Sequence, residues 1–151
     1  MEEASYLTGF VDGEGSFLVS FQKREKMATG LEVRPSFTIS QHSRSKEVLF
    51  WIQKYFNCGG IRFNKSDQTY KYEVRSLRDL NSIIIPHFEK YLLKTSKLED
   101  FRKFKIICEM MKMNSHLSSH GINEIIEIAY SMNNLGARRR DKTSLLKIIV
   151  R

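Results

Sequence analysis

Two carboxylates lie close together near the start of the sequence, in the segment Leu7-Thr8-Gly9-Phe10-Val11-Asp12-Gly13-Glu14-Gly15. The spacing of apolar residues predicts a helix over 4–14, which places Asp12 and Glu14 in its last turn. Acidic groups are unfavourable there because the C-terminal end of a helix carries a partial negative charge. Carboxylate oxygens are hard ligands of the kind that Mg²⁺ prefers. A segment that goes against a local preference often marks a functional site, and metal-dependent chemistry is what these residues could do.

The same predicted helix contains two glycines, Gly9 and Gly13, four residues apart. Each glycine costs about 1 kcal/mol relative to alanine inside a helix. Small residues at this spacing let two helix backbones approach closely, a principle best documented in membrane proteins. The glycines therefore predict a tight contact between this helix and another one.

Hydrophobic patterns place the first helix in an α+β domain that spans 1–151. Strand-like alternation predicts two hairpins, and three- to four-residue spacing predicts the helices. The predicted elements are a helix over 4–14, strands over 15–24 and 31–41, a helix over 45–56, strands over 61–65 and 69–76, helices over 76–91, 96–113 and 122–134, and an apolar stretch over 143–150. We expect an αββαββα core with helices packed on one face of an antiparallel sheet, and a helix break before Pro86.

The chain is strongly basic, because 25 lysine and arginine residues against 17 aspartate and glutamate residues give a formal net charge of +8. Such an excess favours a polyanionic partner, most often a nucleic acid. No apolar run reaches the roughly 20 residues that a membrane-spanning helix needs, so no membrane partner is expected. Cys58 and Cys108 are far apart, which fits a reducing compartment, either an organelle (chloroplast or mitochondrion) or the prokaryotic cytoplasm.

The first segment resembles the LAGLIDADG motif of homing endonucleases. Thr8 stands for the second residue of the motif, Phe10 and Val11 for the branched pair, Gly13 for the second alanine and Glu14 for the last acid. The resemblance continues through GSFLVSF, FTISQ, GGIRF and LKTSKLEDFRKFK, and so covers most of the chain. It implies the family's saddle-shaped sheet and a site-specific endonuclease that makes double-strand breaks in a long pseudo-palindromic DNA site.

The resemblance also implies a metal mechanism and a homodimer. In this family two motif helices pack against each other and the last acid of each binds metal at the scissile phosphates, so a chain with one motif must pair with a second copy. The resemblance assigns Glu14 and the carbonyl of Gly13 as metal ligands, and Gln41 and Lys97 as further catalytic residues, with Lys94 as the alternative lysine. The implied metal is Mg²⁺, with Mn²⁺ able to substitute and Ca²⁺ bound without cleavage, and no small-molecule cofactor is implied. The expected dimer interface comprises Leu7, Gly9, Phe10, Asp12 and Gly13.

The polar faces of both hairpins are the expected DNA-reading surface, because the resemblance implies that the hairpins lie in the major groove. Arginine pairs with guanine there, glutamine or asparagine with adenine, and glutamate with cytosine. Alternation places on this face Ser20, Gln22, Arg24, Glu32, Arg34, Ser36 and Thr38 of the first hairpin, and Arg62, Asn64, Lys65, Lys71, Glu73 and Arg75 of the second. Phe63 is the alternative to Arg62, since a bulge would exchange the faces of a strand. The residues expected to contact phosphates are Arg138, Arg139, Arg140 and Lys142.

Two other functions stay open at this stage. A non-cleaving DNA- or RNA-binding protein on the same scaffold, either an intron maturase or a transcription regulator, would share the charge and the hairpins. Intact Glu14 and Gly13 favour cleavage, because a pure binder has no need of an acid that faces a phosphate. An unrelated basic ribosomal protein would be a monomer. His116 and His120 fall in a predicted loop without the partners of a zinc site, so zinc is not expected.

Overall fold

The computed structural model describes residues 1–133 and 141–149. It begins with α1 (Glu2–Glu14), β1 (Gly15–Lys23), β2 (Leu31–His42), α2 (Lys46–Phe56), β3 (Gly60–Asn64) and β4 (Thr69–Val74). The remaining helices are α3 (Leu77–Asp79), α4 (Ile85–Lys90), α5 (Lys97–Lys112), α6 (Ser119–Tyr130) and α7 (Lys142–Ile148). In this described part of the chain, no helix has the length and apolar character needed to span a membrane.

The four strands form one sheet in the order β1-β2-β4-β3. β2 pairs with β4 over Phe37–His42, and β3 pairs with β4 over Gly60–Asn64, both antiparallel and residue by residue. Pro35 precedes the part of β2 that pairs with β4, so its missing N–H removes no bond from that ladder. The structure confirms the predicted α+β class, the αββαββα core and the antiparallel sheet.

Contacts group the chain into two compact units, one of Met1–Phe17 with Ser36–Leu98 and the other of Leu18–Pro35 with Glu99–Arg151. The core of the first unit is aromatic: the Phe37 ring lies 5.2 Å from that of Phe17 and 5.6 Å from that of Phe88. The core of the second unit is mostly aliphatic. Its fully buried side chains include Leu31, Phe104, Ile107, Ile122, Ile125 and Ile126.

The predicted helix over 76–91 is present and contains a wider turn where a break was expected. A π-helical turn over Leu80–Ile84 separates α3 from α4, and Pro86 lies at the start of α4. Proline is tolerated in a first helical turn because its missing N–H has no intrahelical partner there. The predicted break before Pro86 is wrong, because Ile84 and Ile85 keep right-handed helical angles and the chain passes from the π-helical turn into α4 without a loop.

Candidate active site at the end of the first helix

α1 has an inner face that its own chain covers and an outer face that its own chain leaves open. The buried residues are Ala4, Leu7, Thr8 and Val11. Gly9 and Gly13 are exposed on the outer face, and a Cβ placed at either one meets no described atom within 4 Å. Leu7, which the sequence placed at a dimer interface, has no exposed surface and belongs instead to the inner face. The fold of one chain therefore does not require glycine at either position.

Glu14 is the last residue of α1, and its side chain is exposed. Gln41, near the end of β2, donates a hydrogen bond from Nε2 to Glu14 Oε2 at 3.3 Å. Gln41 shares its strand face with the buried residues Phe37 and Ile39, because side chains two residues apart on a strand point the same way. The structure thus brings together two residues that the sequence predicted as catalytic, 27 positions apart.

Asp12 binds its own chain, in the turn before α5. Its carboxylate accepts the backbone N–H groups of Lys94 at 2.7 Å and of Thr95 at 3.2 Å, and it also accepts the hydroxyl of Thr95. Burial alone would raise the pKa of Asp12, but the hydrogen bonds from Thr95 and Lys94 and the charge of Lys97 bring that pKa below its usual value. The sequence placed Asp12 at a dimer interface, whereas the structure gives its carboxylate a bonding role within one chain.

Lys97, the first residue of α5, reaches back to the end of α1. Its Nζ donates to the carbonyl of Val11 at 3.0 Å and to the carbonyl of Asp12 at 3.1 Å. The carbonyl of Val11 also accepts the backbone N–H of Gly15, so Lys97 adds a second donor there and supplies one to Asp12. A cation at the C-terminal end of a helix also offsets the helix dipole. The predicted catalytic lysine therefore lies at the same helix end as Glu14.

A buried histidine supports the inner face of α1. His87 of α4 is 9% exposed, with Nε2 3.0 Å from Thr8 Oγ1 and Nδ1 3.2 Å from the hydroxyl of Tyr55. Thr8 donates its own proton to the carbonyl of Tyr91 at 3.2 Å, so Nε2–H donates to Thr8 and Nδ1 accepts from Tyr55. Burial lowers the pKa of His87 from 6.5 to about 4. The imidazole is therefore neutral near pH 7.

In the second unit, one glutamate on the polar face of the first hairpin lies between two arginines. Glu32 accepts from Arg24 at 2.9 Å and from Arg34 at 3.1 Å. The hydrogen bond from Arg24 is the main reason that the pKa of Glu32 is lowered; burial opposes it, and Arg34 adds to it. Ser20 donates to the carbonyl of Arg34 at 3.4 Å, and Gln22 is exposed. The five residues predicted on this part of the hairpin are all available at its surface or part-exposed.

In the first unit, the second hairpin carries a similar group. Glu73 lies 3.4 Å from Arg62 and 3.8 Å from Lys71, and Arg62 is paired directly with Lys71 in the sheet register. Paired residues share a face, so Arg62 rather than Phe63 belongs with Lys71 and Glu73. Each hairpin thus presents one glutamate between two basic side chains.

The other predicted DNA-contacting residues differ in exposure. Asn64, Lys65 and Arg75 are exposed, and Asn64 Oδ1 accepts the backbone N–H of Ser66 at 3.1 Å, which stabilises the hairpin turn. Ser36 is half-buried. Thr38 lies opposite Glu73 in the sheet and is 6% exposed, so its side chain offers little surface to a ligand.

The predicted phosphate-contacting loop is only partly described. Arg138, Arg139 and Arg140 lie outside the described residues. Lys142 is the first residue of α7, and its Nζ lies 3.0 Å from Glu127 Oε2. Phosphate contact by Lys142 would therefore compete with this ion pair.

The donor set at the end of α1 fits a divalent cation only when other oxygens complete the site. Within residues 1–133 and 141–149, no three His, Cys, Asp or Glu side chains are grouped so that they could hold a metal ion. Mg²⁺ keeps several waters and is commonly held by one or two carboxylates together with phosphate oxygens. Glu14 supplies one such carboxylate, and its exposure leaves room for further ligands.

Thr95 and His87 support this site, and no sequence motif predicted either of them. Thr95 joins Asp12 to the start of α5, and His87 fixes Thr8 on the inner face of α1. One signal was available for Thr95, since a hydroxyl residue just before an amphipathic helix is a common N-terminal cap. Nothing in the local pattern around His87 indicates that it contacts a residue 79 positions away.

Comparison with known proteins gives consistent matches over this region. Residues 7–108 match a family model described as LAGLIDADG endonuclease. Over 130 residues the chain is 40% identical to the probable intron-encoded endonuclease 2 of Neurospora crassa, which covers 85% of this chain and 29% of that protein. The crystal structure of the homing endonuclease I-TnaI has a TM-score of 0.89 at 41% identity, covering 96% of this chain and 97% of that one.

A second solved structure contains a nucleic acid. I-SmaMI bound to uncleaved DNA target in the presence of calcium ions has a TM-score of 0.88 at 30% identity, covering 95% of this chain and 48% of that one. The chain spans less than half the length of three relatives from Neurospora crassa and Mycosarcoma maydis, at 29%, 24% and 48%.

Proposed function

The chain belongs to the LAGLIDADG endonuclease family, and from that premise we propose that it is a homing endonuclease that makes double-strand breaks in a long pseudo-palindromic DNA site. The observation that carries the proposal is the position of Glu14. Its carboxylate is exposed at the end of α1, where a negative charge is unfavourable unless a cation meets it. An endonuclease needs an acid there to hold metal, whereas a protein that only binds DNA does not.

In this proposal Glu14 and the carbonyl of Gly13 would hold a divalent cation, with oxygens of the scissile phosphates as further ligands. The Nε2 of Gln41 donates to one oxygen of Glu14, which fixes the direction of the carboxylate. The ammonium of Lys97 adds positive charge at the same helix end. Mg²⁺, when bound, would activate water and stabilise the leaving oxygen. Mn²⁺ should replace it, and Ca²⁺ should bind without cleavage, as the uncleaved complex of I-SmaMI with calcium suggests for a relative.

The proposal requires two copies of the chain, because one carboxylate per chain gives an incomplete site for cutting two strands. The outer face of α1 supports a homodimer: Gly9 and Gly13 are open to solvent, and Tyr6 is 59% exposed beside the half-buried Phe10. Glycines that cost about 1 kcal/mol each in a helix need a compensating contact, and close approach of the same helix from a second copy would provide it.

We further propose that the two hairpins contact DNA bases, with the basic segment at 138–142 on phosphates. Their polar faces offer arginine, glutamine, asparagine and glutamate side chains, which are the types that discriminate bases in the major groove. The basic partners in these ion pairs are part-exposed or exposed, and the glutamates are partly covered. Ion pairs near the surface contribute little stability, so these side chains can exchange partners at small cost. The chain spans less than half the length of several relatives. Carrying their activity over to this chain is therefore part of the proposal.

The Glu14→Gln variant tests the proposed function. The amide is nearly the same size, so specific DNA binding should persist while cleavage in Mg²⁺ falls at least about 100-fold, the scale on which loss of one stabilising group slows catalysis. Glu2→Gln, an exposed acid at the other end of α1, is the matched control and should cut normally. The measurements are plasmid linearisation in Mg²⁺ and a gel-shift titration in Ca²⁺. Full cutting by the Glu14→Gln variant would contradict the proposal, and a wild-type chain that binds its site without cutting would identify a binding protein instead.

A further inference from the structure

The C-terminal end of α1 carries negative charge that no basic residue of its last turn offsets. Two acids lie in its last turn, no basic residue does, and Gly15 beyond it is extended, with φ −88° and ψ 168°. Helix ends usually satisfy their last carbonyls with a left-handed cap or with nearby cations. Gly15 donates its N–H to the carbonyl of Val11 but brings no positive charge, so a cation that offsets the charge of this end must come from elsewhere in the chain.

Lys97 provides the cation. Its Nζ donates to the carbonyls of Val11 and Asp12, at 3.0 and 3.1 Å, from 86 and 85 positions away. The side chain is part-buried in this position. Two of the ammonium's N–H groups are therefore directed at backbone oxygens of the helix that carries Glu14.

Asp12 connects the same two segments in the other direction, from α1 to the turn before α5. Its carboxylate accepts N–H groups from Lys94 and Thr95, and Thr95 Oγ1 accepts the backbone N–H of Lys97 at 3.2 Å. The Lys94 and Thr95 amides lie in the turn just before α5, near the helix end whose partial positive charge favours an anion. Asp12, at the end of α1, thus binds the backbone just before α5. Lys97, at the start of α5, in turn binds the end of α1.

We propose that Asp12, Thr95 and Lys97 form a reciprocal clasp that positions Glu14, and that Lys97 is a positioning residue rather than a group that transfers a proton. The inference rests on the proposed function, since it concerns how the acid of that site is held. Glu14 lies two residues beyond Asp12 in the same helical turn. A clasp that fixes the backbone of Val11 and Asp12 therefore fixes the direction from which Glu14 approaches metal and phosphate.

A double-mutant cycle separates this role from proton transfer. Asp12→Asn keeps the size of the side chain and removes its charge, and Lys97→Met keeps the apolar stem and removes the ammonium. If both residues act through one clasp, each single variant should raise the Mg²⁺ concentration for half-maximal cleavage about tenfold, on the scale reported for groups that orient metal ligands. The double variant should then be no more than about threefold worse than the poorer single variant, because coupled residues are not additive.

Two further variants sharpen the cycle. Arginine can donate to the same two carbonyls but stays protonated, so Lys97→Arg should cut within about threefold of wild type with an unchanged pH profile. Lys112→Met removes an exposed lysine at the other end of α5 and should change neither the Mg²⁺ requirement nor the rate. Urea unfolding of all variants reports the clasp without any need for cleavage, and there too the effects of Asp12→Asn and Lys97→Met should overlap.

Three results would overturn the inference. In the first, the double variant needs about 100-fold more Mg²⁺ for half-maximal cleavage, so that the two single effects multiply. Independent groups behave in this way. The second is a Lys97→Arg variant that folds and binds DNA yet is as inactive as Lys97→Met. The third is coupling in unfolding with no change in the Mg²⁺ requirement, which would make the clasp purely structural. A wild-type chain that cuts no DNA would refute the proposed function, and additive effects in unfolding would then separately refute the clasp.

Discussion

The two faces of α1 differ in whether contacts within one chain explain their residues. On the inner face, Leu7 and Val11 are completely buried, and Thr8 bonds to His87 and Tyr91. On the outer face, a Cβ added at Gly9 or Gly13 would meet no atom of the described residues within 4 Å, apart from the helix itself. The inner face is thus specified by contacts within the chain, whereas the outer face carries costly glycines that those contacts do not explain.

In the proposed homodimer, a single helix would serve two partners. The inner face contributes to the stability of the monomer, and the outer face is suited to a contact that the monomer lacks. If that division is right, substitutions on the inner face should change unfolding, and substitutions on the outer face should change association and cleavage while leaving unfolding of the monomer nearly intact.

The largest effect on stability is expected at Leu7. Leu7→Ala should lower the free energy of unfolding by about 2–5 kcal/mol, because it removes a fully buried side chain and leaves a cavity. Leu92→Ala is the matched control: Leu92 is 54% exposed, and the change should stay within about 0.5 kcal/mol. Urea denaturation measures both. Equal effects from the two variants would contradict the assignment of Leu7 to the inner face.

The next effect concerns pH and the buried His87. Its pKa is lowered from 6.5 to about 4 by burial, so below pH 6.5 the unfolded chain binds a proton that the folded chain does not. Stability should therefore be full above pH 6.5 and fall as the pH drops toward 4, by about 3 kcal/mol from this group alone. The measurement is urea unfolding from pH 7.5 to 4, comparing wild type with His87→Gln. If the two slopes coincide, His87 is not neutral in the folded protein.

A smaller change in free energy is expected on the outer face. Gly9→Leu should raise the dissociation constant of the dimer at least about tenfold, or 1.4 kcal/mol, and reduce cleavage with it, since the backbones could no longer approach. Unfolding of the monomer should be unchanged or improved, because the new side chain meets open space and glycine disfavours helix. Glu109→Leu, exposed on α5, is the control. Sedimentation equilibrium measures association, and a wild-type chain that stays monomeric at micromolar concentration would contradict the homodimer.

The sequence predicted the order and type of the elements through α6, because period-two and period-3.6 patterns reflect burial directly. It gave the segment of α7 only as an apolar stretch, without a type. The same patterns could have separated the faces of α1: Leu7 and Val11 are four apart and share a side, whereas Gly9 lies between them on the other side. Leu7 was placed at a dimer interface because the motif was treated as one unit. Its burial shows that periodicity was the better guide at this position.

Long-range polar contacts set the limit of prediction at the site. The family resemblance predicted both Glu14 and Gln41, and in the structure Gln41 Nε2 lies 3.3 Å from Glu14 Oε2. The contacts of Asp12 with Lys94 and Thr95 join positions 82 and 83 residues apart. No local pattern encodes such a pairing, since it depends on how the end of one helix meets the start of another.

If the hairpins contact DNA bases as proposed, their glutamates would have a consequence for specificity. Arg24, Glu32 and Arg34 together carry a charge of +1 instead of +2, and Arg62, Lys71 and Glu73 do the same. Each glutamate acts as a built-in counterion, which competes with any DNA phosphate for the same two cations. On DNA of random sequence, the basic side chains would leave their glutamate and gain only a phosphate. At a matching site, a base edge would also donate a hydrogen bond to the glutamate. The reading faces would therefore give up part of their general attraction to DNA, and the difference between the right and the wrong site would widen accordingly.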